Sequence, residues 1–185
     1  MEVKKVSPSQ PAIKWAVIAL ITSIIITYAF QFLNVDPNSP IKYLNFLPFI
    51  AFLFLTQKEY RDLLGGYMTF GEGFLSGFLF AIFLGVLSAI FTYLYYAILS
   101  PEMIDKTLAA SQAKMAEQNN LSQDQIDKAM EISKKYFSII ATVGALFGSA
   151  ILGAIIALIG AAIFKKERSR FDVTDAADQT PEPTV

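Results

Sequence analysis

The sequence predicts an all-α integral membrane protein with four transmembrane helices and an extracytoplasmic amphipathic helical hairpin between spans three and four. The chain is 54% hydrophobic and only 17% charged, whereas a soluble domain usually carries about 25% charged residues. The charged residues are also absent from long stretches of the chain and crowd between them. Several of these uncharged stretches approach or exceed the roughly 20 apolar residues that a helix needs to cross a bilayer.

Three of the uncharged runs are long enough to span a membrane by themselves. They occupy residues 15–33, 73–99 and 136–164. With their flanking residues they predict spans over about 13–33, 70–99 and 136–164, since roughly 20 residues cover the hydrocarbon core. The two longest must tilt or project beyond it.

A fourth run, 43–57, is shorter and contains Pro48. Taken alone it is a short span over 42–57, a re-entrant hairpin or an interfacial helix. Lysine and arginine near the ends of spans favour the cytoplasmic side. With four spans and a cytoplasmic N-terminus, that side collects Lys4, Lys5, Lys14, Lys58, Arg61, Lys165, Lys166, Arg168 and Arg170. This pattern favours four spans, with both termini in the cytoplasm.

Two segments are predicted to lie outside the four-helix membrane domain of residues 12–168, and a third, the loop 100–135, belongs to that domain but lies outside the bilayer. Residues 1–11 form a cytoplasmic N-terminal segment, and the acidic, proline-containing tail 169–185 is expected to be disordered. The loop 100–135 forms the helical hairpin, because Ser122 and Gln125 fit a capping box at the start of its second arm. That arm is expected to run unbroken into span four. The hairpin either packs on the bundle or offers a docking surface.

Small residues recur every four positions on helices three and four, which places them on one inclined ridge of each helix. In lipid, small side chains let helix backbones approach closely. The ridges therefore predict tight packing between helices three and four or between two copies of the chain. The candidate packing residues are Gly73, Gly77, Ala81, Gly85, Ala89, Gly144, Gly148, Gly153 and Ala157.

The segment 65–74, at the start of helix three, is the most distinctive stretch of the chain. Its glycines permit positive φ and close backbone approach. Thr69 and Glu72 fit a capping box that begins the helix at Phe70. Glu72 is either this cap or a functional carboxylate, and the cap interpretation is favoured. The possible functional segment comprises Gly65, Gly66, Thr69, Phe70, Gly71 and Glu72.

This segment carries a resemblance to a known family. The pattern Gly65-Gly66, then Thr69-Phe70-Gly71-Glu72 and Phe74, resembles an uncharacterised bacterial membrane family typical of Bacteroidota, domain of unknown function 4199. Pro101 after span three and the ending Lys165-Lys166 agree with it. The resemblance covers about residues 10–168. It implies a four-span inner-membrane protein and supplies no activity.

The composition excludes much chemistry. The chain has no cysteine and no histidine, which removes thiol nucleophiles, histidine bases and the usual zinc and haem ligands. Carboxylate metal sites and serine–lysine chemistry stay formally open, but no pair of residues is placed for them, and the net charge of −1 does not indicate nucleic-acid binding. We expect no enzyme activity, no cofactor, no metal and no nucleic-acid partner. The expected partners are the lipid bilayer and either a second copy or another membrane protein. The favoured function is an accessory or interaction protein, and the alternative is a subunit of a transporter or channel for an apolar or small solute.

Overall fold

A computed structural model describes residues 6–33, 35, 40–99, 101–117 and 122–167. Within these residues the fold is all-helical, as predicted. A 3-10 helix (Pro40–Asn45) leads into the second α-helix, and a π-helical segment (Tyr95–Leu99) extends the third. The five helices are α1 (Ser9–Phe32), α2 (Phe46–Leu63), α3 (Phe70–Leu94), α4 (Glu102–Glu117) and α5 (Gln123–Phe164).

Three of the described helices are long and apolar enough to cross a membrane. They are α1, the stretch Phe70–Leu99 and α5. Helix α2 is less apolar than these three, because its last turns carry the charged residues Lys58, Glu59, Arg61 and Asp62. The structure therefore supports three spans directly, and the fourth stays a prediction.

The C-terminal end of α2 lies beyond the residues assigned to the predicted span 42–57. The helix continues past residue 57 to Leu63, because the lysine, glutamate and arginine that follow the apolar run are good helix formers. Pro48 lies in the first turn of α2, where its missing N–H has no helical partner to lose. The predicted disordered tail, 169–185, lies outside the described residues.

Helix α5 runs unbroken from Gln123 to Phe164, which confirms the predicted continuity of this helix. At 1.5 Å per residue its 42 residues measure about 63 Å, roughly twice the thickness of a hydrocarbon core. The capping box at its start is present: Ser122 N–H donates to Gln125 Oε1 at 2.9 Å, and Gln125 N–H donates to Ser122 Oγ at 3.4 Å.

The chain forms two compact units, the first made of residues 1–80 and 153–185 and the second of residues 81–152. In the first unit α1 and α2 pack antiparallel. Lys14, near the start of α1, pairs with Glu59, near the end of α2, and the Trp15 and Phe52 rings stack with centroids 5.6 Å apart. The buried face of α1 consists of Pro11, Ala12, Ala16 and Ala19, small residues that permit close helix approach.

In the second unit, the π-helical segment, α4 and the start of α5 are joined by three kinds of contact. Leu108 and Ile126 are buried. The Tyr96 and Phe137 rings meet edge to face at 4.8 Å. Lys134 pairs with Asp105 at 2.7 Å.

Candidate functional site

The centre of the first unit is a buried glutamine that the sequence analysis did not single out. Gln57 of α2 is fully buried. Its Nε2 donates to two backbone carbonyls on two other helices, to Gly73 of α3 at 3.0 Å and to Ala157 of α5 at 2.9 Å. A buried amide needs such partners, since leaving it unpaired in an apolar environment costs several kcal/mol on cyclohexane-type scales, about 4–8. Gln57 thus joins three helices at one point.

Glycines make room for this side chain on both neighbouring helices. A Cβ on Gly77 would come within 2.7 Å of Gln57 Nε2, and one on Gly160 would overlap Gln57 Oε1. Distances under 3.0 Å do not occur for real Cβ atoms, so neither position accepts a larger residue unless Gln57 moves. We call Gln57, Gly73, Gly77, Ala157 and Gly160 the glutamine cradle.

The oxygen of the Gln57 amide has no hydrogen-bond donor among the described residues. It faces the Cα of Gly160, a position in which a carbonyl oxygen accepts a weak C–H···O contact. The two buried hydroxyls nearby are satisfied locally: Thr56 donates to Phe52 O at 2.8 Å and Ser76 donates to Gly73 O at 3.0 Å. The cradle is therefore closely packed, and its chemistry is that of a structural clamp.

The predicted packing residues fall into two groups. Residues of the first group are buried or lie against a neighbouring helix, and residues of the second group do not. In the first unit Gly73 lies against Ala161, and Gly77 lies against Ala157. In the second unit Gly85 lies against Ser149. Ala81, Ala89, Ala157 and Gly153 are buried.

The second group contains Gly144 and Gly148, both on α5 in the second unit. A Cβ at either position would meet no atom of the described residues within 4 Å. The structure therefore brings the α3 glycines against α5 and leaves these two α5 glycines uncovered.

The segment 65–74 makes a tight turn from α2 into α3. Gly65 and Gly66 have φ of 82° and 87°, which L side chains rarely adopt. Beyond the turn, Met68 and Lys166 exchange two backbone hydrogen bonds of 2.9 Å each. The turn is thereby fastened to the chain just past the end of α5.

The capping box at the start of α3 is present. Glu72 Oε2 accepts from the backbone N–H of Thr69 and from its hydroxyl, both at 2.8 Å, and Glu72 N–H donates to Thr69 Oγ1 at 3.3 Å. Helix α3 begins at Phe70, as predicted. A Cβ on Gly71 would meet nothing within 4 Å, so packing does not require a glycine there.

A second polar contact ties α1 to α2 at the same end of the unit. Glu59 accepts from Lys14 Nζ and from Trp15 Nε1, the latter at 2.6 Å. The Glu59 side chain is about one-third exposed, so the ion pair lies at the surface of the bundle rather than in its core.

Gln57 was not predicted as a site residue because it is only the last residue of the uncharged run 43–57. One sequence signal for its burial was nevertheless present. The buried residues of α2 are Leu53, Thr56, Gln57 and Tyr60, which follow the i, i+3, i+4, i+7 spacing of a helix face. A polar pair on the stripe that faces the bundle indicates a buried hydrogen-bonding site.

Among the described residues no group of three or more acidic side chains is placed to hold a metal ion. These residues define a helical membrane protein whose α2, α3 and α5 meet around one buried amide. The chain belongs to the family described as protein of unknown function (DUF4199), whose model matches residues 14–166. This match confirms the resemblance carried by the segment 65–74. No curated protein and no solved structure matches the chain.

Proposed function

We propose that this protein is a non-catalytic bacterial inner-membrane protein that acts by binding a second copy of itself or another membrane protein. The observation that carries the proposal is the uncovered pair Gly144 and Gly148. In lipid, small residues one turn apart favour helix association because backbones approach closely over them. The α3 glycines use this property within the chain, and the α5 pair has no such neighbour.

The side chains beside this pair suit a helix contact. Phe147 and Ile151 are 61% and 62% exposed and stand beside the glycines along α5. The glycines form a groove between these bulky side chains, into which the ridge of another helix inserts. We call Gly144, Phe147, Gly148 and Ile151 the α5 groove.

We further propose that the chain crosses the membrane four times, with both termini cytoplasmic. The 18 residues of α2 and the six of its 3-10 lead measure about 27 Å and 12 Å. Together they exceed the roughly 30 Å hydrocarbon core. The antiparallel contact of α1 with α2 supports a returning span, and Lys14, Lys58 and Lys166 then share the cytoplasmic side.

This topology is tested by labelling single cysteines, for which the natural chain is a clean background because it has none. We expect a membrane-impermeant maleimide to label Tyr43→Cys from the outer side and Asp62→Cys only from the inner side. Ser111→Cys, on α4, should be labelled from the outer side only if α2 crosses, so it is a second test of the same topology. Labelling of Tyr43→Cys and Asp62→Cys from the same side would show that α2 does not cross.

The proposed contact is tested by cross-linking in native membranes. We expect Gly148→Cys to form a disulfide-linked dimer, whereas Ile25→Cys, an exposed apolar position on α1, does not. If a different membrane protein is cross-linked at Gly148→Cys in defined stoichiometry, the proposed partner is that protein and not a second copy of the chain.

The proposal fails if Gly148→Cys behaves like Ile25→Cys and no partner is trapped. Solute flux through liposomes that contain only the purified chain would favour the transporter or channel subunit instead.

A further inference from the structure

A cavity of about 310 Å³ lies beside the turn between α2 and α3, within the first unit. Its volume is at the lower end of the range for small-ligand sites, about 300–1,000 Å³. Its lining includes Tyr67, Thr69, Glu72, Lys166 and Glu167. Because α3 begins here and α5 ends here, the cavity stands at the end of two helices long enough to span a membrane, which is the level of lipid headgroups.

The charged groups of the cavity are arranged for a ligand that carries both signs. Two carboxylates, Glu72 and Glu167, and one ammonium, Lys166, line it. Glu167 also pairs with Lys165 at 3.1 Å, so these four described groups carry two negative and two positive charges. A ligand with one charge of each sign matches this balance, whereas a ligand of a single sign leaves it unbalanced. Two carboxylates supply only part of the six to eight oxygen ligands that calcium takes.

We propose that this cavity binds a phosphoethanolamine group, either as the headgroup of a phosphatidylethanolamine lipid or free in solution. The ammonium of the ligand donates to Glu72 and Glu167, and its phosphate lies against Lys166. The ring of Tyr67 helps to place the lysine, whose Nζ stands 5.3 Å from the ring centroid. This inference is independent of the contact proposed at the α5 groove.

The turn is built so that the cavity keeps its shape. Glu72 is held by its two contacts with Thr69. The backbone of Lys166 is held by its pairing with Met68. The opposite charges are thus fixed on two elements that the backbone hydrogen bonds join, which lowers the ordering cost of binding.

The ammonium separates this ligand from choline lipids. A primary ammonium has three N–H donors for the carboxylates, whereas a quaternary choline has none. A glycerol headgroup carries the phosphate without any cation. Preference for ethanolamine over both is therefore the signature of the proposed site.

The test is a titration of the full chain in detergent, followed by native mass spectrometry. The probes are dihexanoyl lipids with ethanolamine, choline or glycerol headgroups, and free O-phosphoethanolamine. We expect the ethanolamine lipid to bind at least about fivefold more tightly than the other two lipids, because hydrogen bonds to charged groups are the stronger class. Free O-phosphoethanolamine binding as tightly as the ethanolamine lipid supports a soluble ligand, and weaker binding supports the lipid.

Substitutions separate binding from folding. Glu72→Gln removes the charge but keeps the capping box, in which glutamine also serves, so its melting temperature should match the natural chain. We expect Glu72→Gln and Lys166→Met each to weaken ethanolamine binding about fivefold. Lys58→Met and Glu131→Gln, which lie outside the cavity lining, are the matched controls and should leave it unchanged.

Equal binding of ethanolamine and choline lipids would overturn the proposal, as would preference for the glycerol headgroup. Unchanged affinity in Glu72→Gln and Lys166→Met would overturn it as well. Loss of binding in the two controls would show that the effect is not specific to the cavity, and the assignment of the ligand to this cavity would then be wrong.

Discussion

The glutamine cradle of the first unit and the α5 groove of the second unit use the same residue type in opposite ways. In the cradle, glycines are filled by a neighbour: Gly77 and Gly160 stand against Gln57. In the groove, no described residue lies within 4 Å of a Cβ placed on Gly144 or Gly148. A small residue in a membrane helix is therefore either a completed contact inside the chain or an open one. Composition alone does not distinguish the two.

The largest expected effect comes from placing the same bulky residue in both regions. Gly77→Leu forces Gln57 and Ala157 apart, and overpacking of this kind costs about 3 kcal/mol or more when the neighbours cannot yield. A loss of this size lowers the melting temperature of a chain of this length by roughly 6–12 °C. The measurement is the fraction of monodisperse protein left in detergent after heating.

Gly148→Leu is the matched control for that experiment. Its side chain enters open space, so the stability of the isolated chain should change by no more than about 0.5 kcal/mol. Equal losses of stability in Gly77→Leu and Gly148→Leu would contradict the contrast between cradle and groove.

A smaller loss of stability is expected when the hydrogen bonds of Gln57 are removed and the size of its side chain is kept. Gln57→Met keeps a similar side-chain length but removes both donors. Interhelical hydrogen bonds in membranes average about 0.6 kcal/mol, so we expect a loss of roughly 1 kcal/mol, measured by thermal unfolding in detergent.

A double-mutant cycle tests the contact between Gln57 and Gly160. Gly160→Ala should destabilise the natural chain, because its Cβ overlaps Gln57 Oε1. In a Gln57→Ala background the same change should cost less, since Gln57 Oε1 is gone, although Phe54 Cε1 remains 2.9 Å from the added Cβ. Additive losses would mean that Gly160 is required for another reason.

The smallest expected effect is the difference in stability loss between removing one capping box and removing the other. Thr69→Ala should lower global stability by about 1 kcal/mol, because α3 starts beside the pairing of Met68 with Lys166. Ser122→Ala removes an equivalent cap from α5, whose first turns are largely exposed. We expect faster amide hydrogen exchange in those turns and little change in melting temperature. Equal changes in melting temperature would contradict this contrast.

Much of the architecture could be predicted from the chain because its signals are local. The uncharged runs anticipate α1, α3 and α5. The two capping boxes place the starts of α3 and α5 at Phe70 and Gln123. Such signals depend on residues within one turn of each other, so a single sequence carries them.

The cradle was not predictable in the same way. Gln57 lies 16 residues from Gly73 and 100 residues from Ala157, and no local rule connects positions so far apart. The end of α2 at Leu63 was also not predicted, because a rule based on charge ends a span before Lys58 whereas helix propensity carries the helix further. The sequence contained the glycines and the glutamine, but only the fold shows which glycines belong to it.

The long separation between Gln57 and Ala157 has a consequence for biosynthesis. Chains are made at about 5–20 residues per second, so α2 precedes its partner on α5 by roughly 5–20 s. During that interval one acceptor of the Gln57 amide does not yet exist. Completion of the Gln57 contacts then depends on α5, the last of the described helices to be translated, and a ribosome stalled before residue 157 should leave α2 more open to proteolysis.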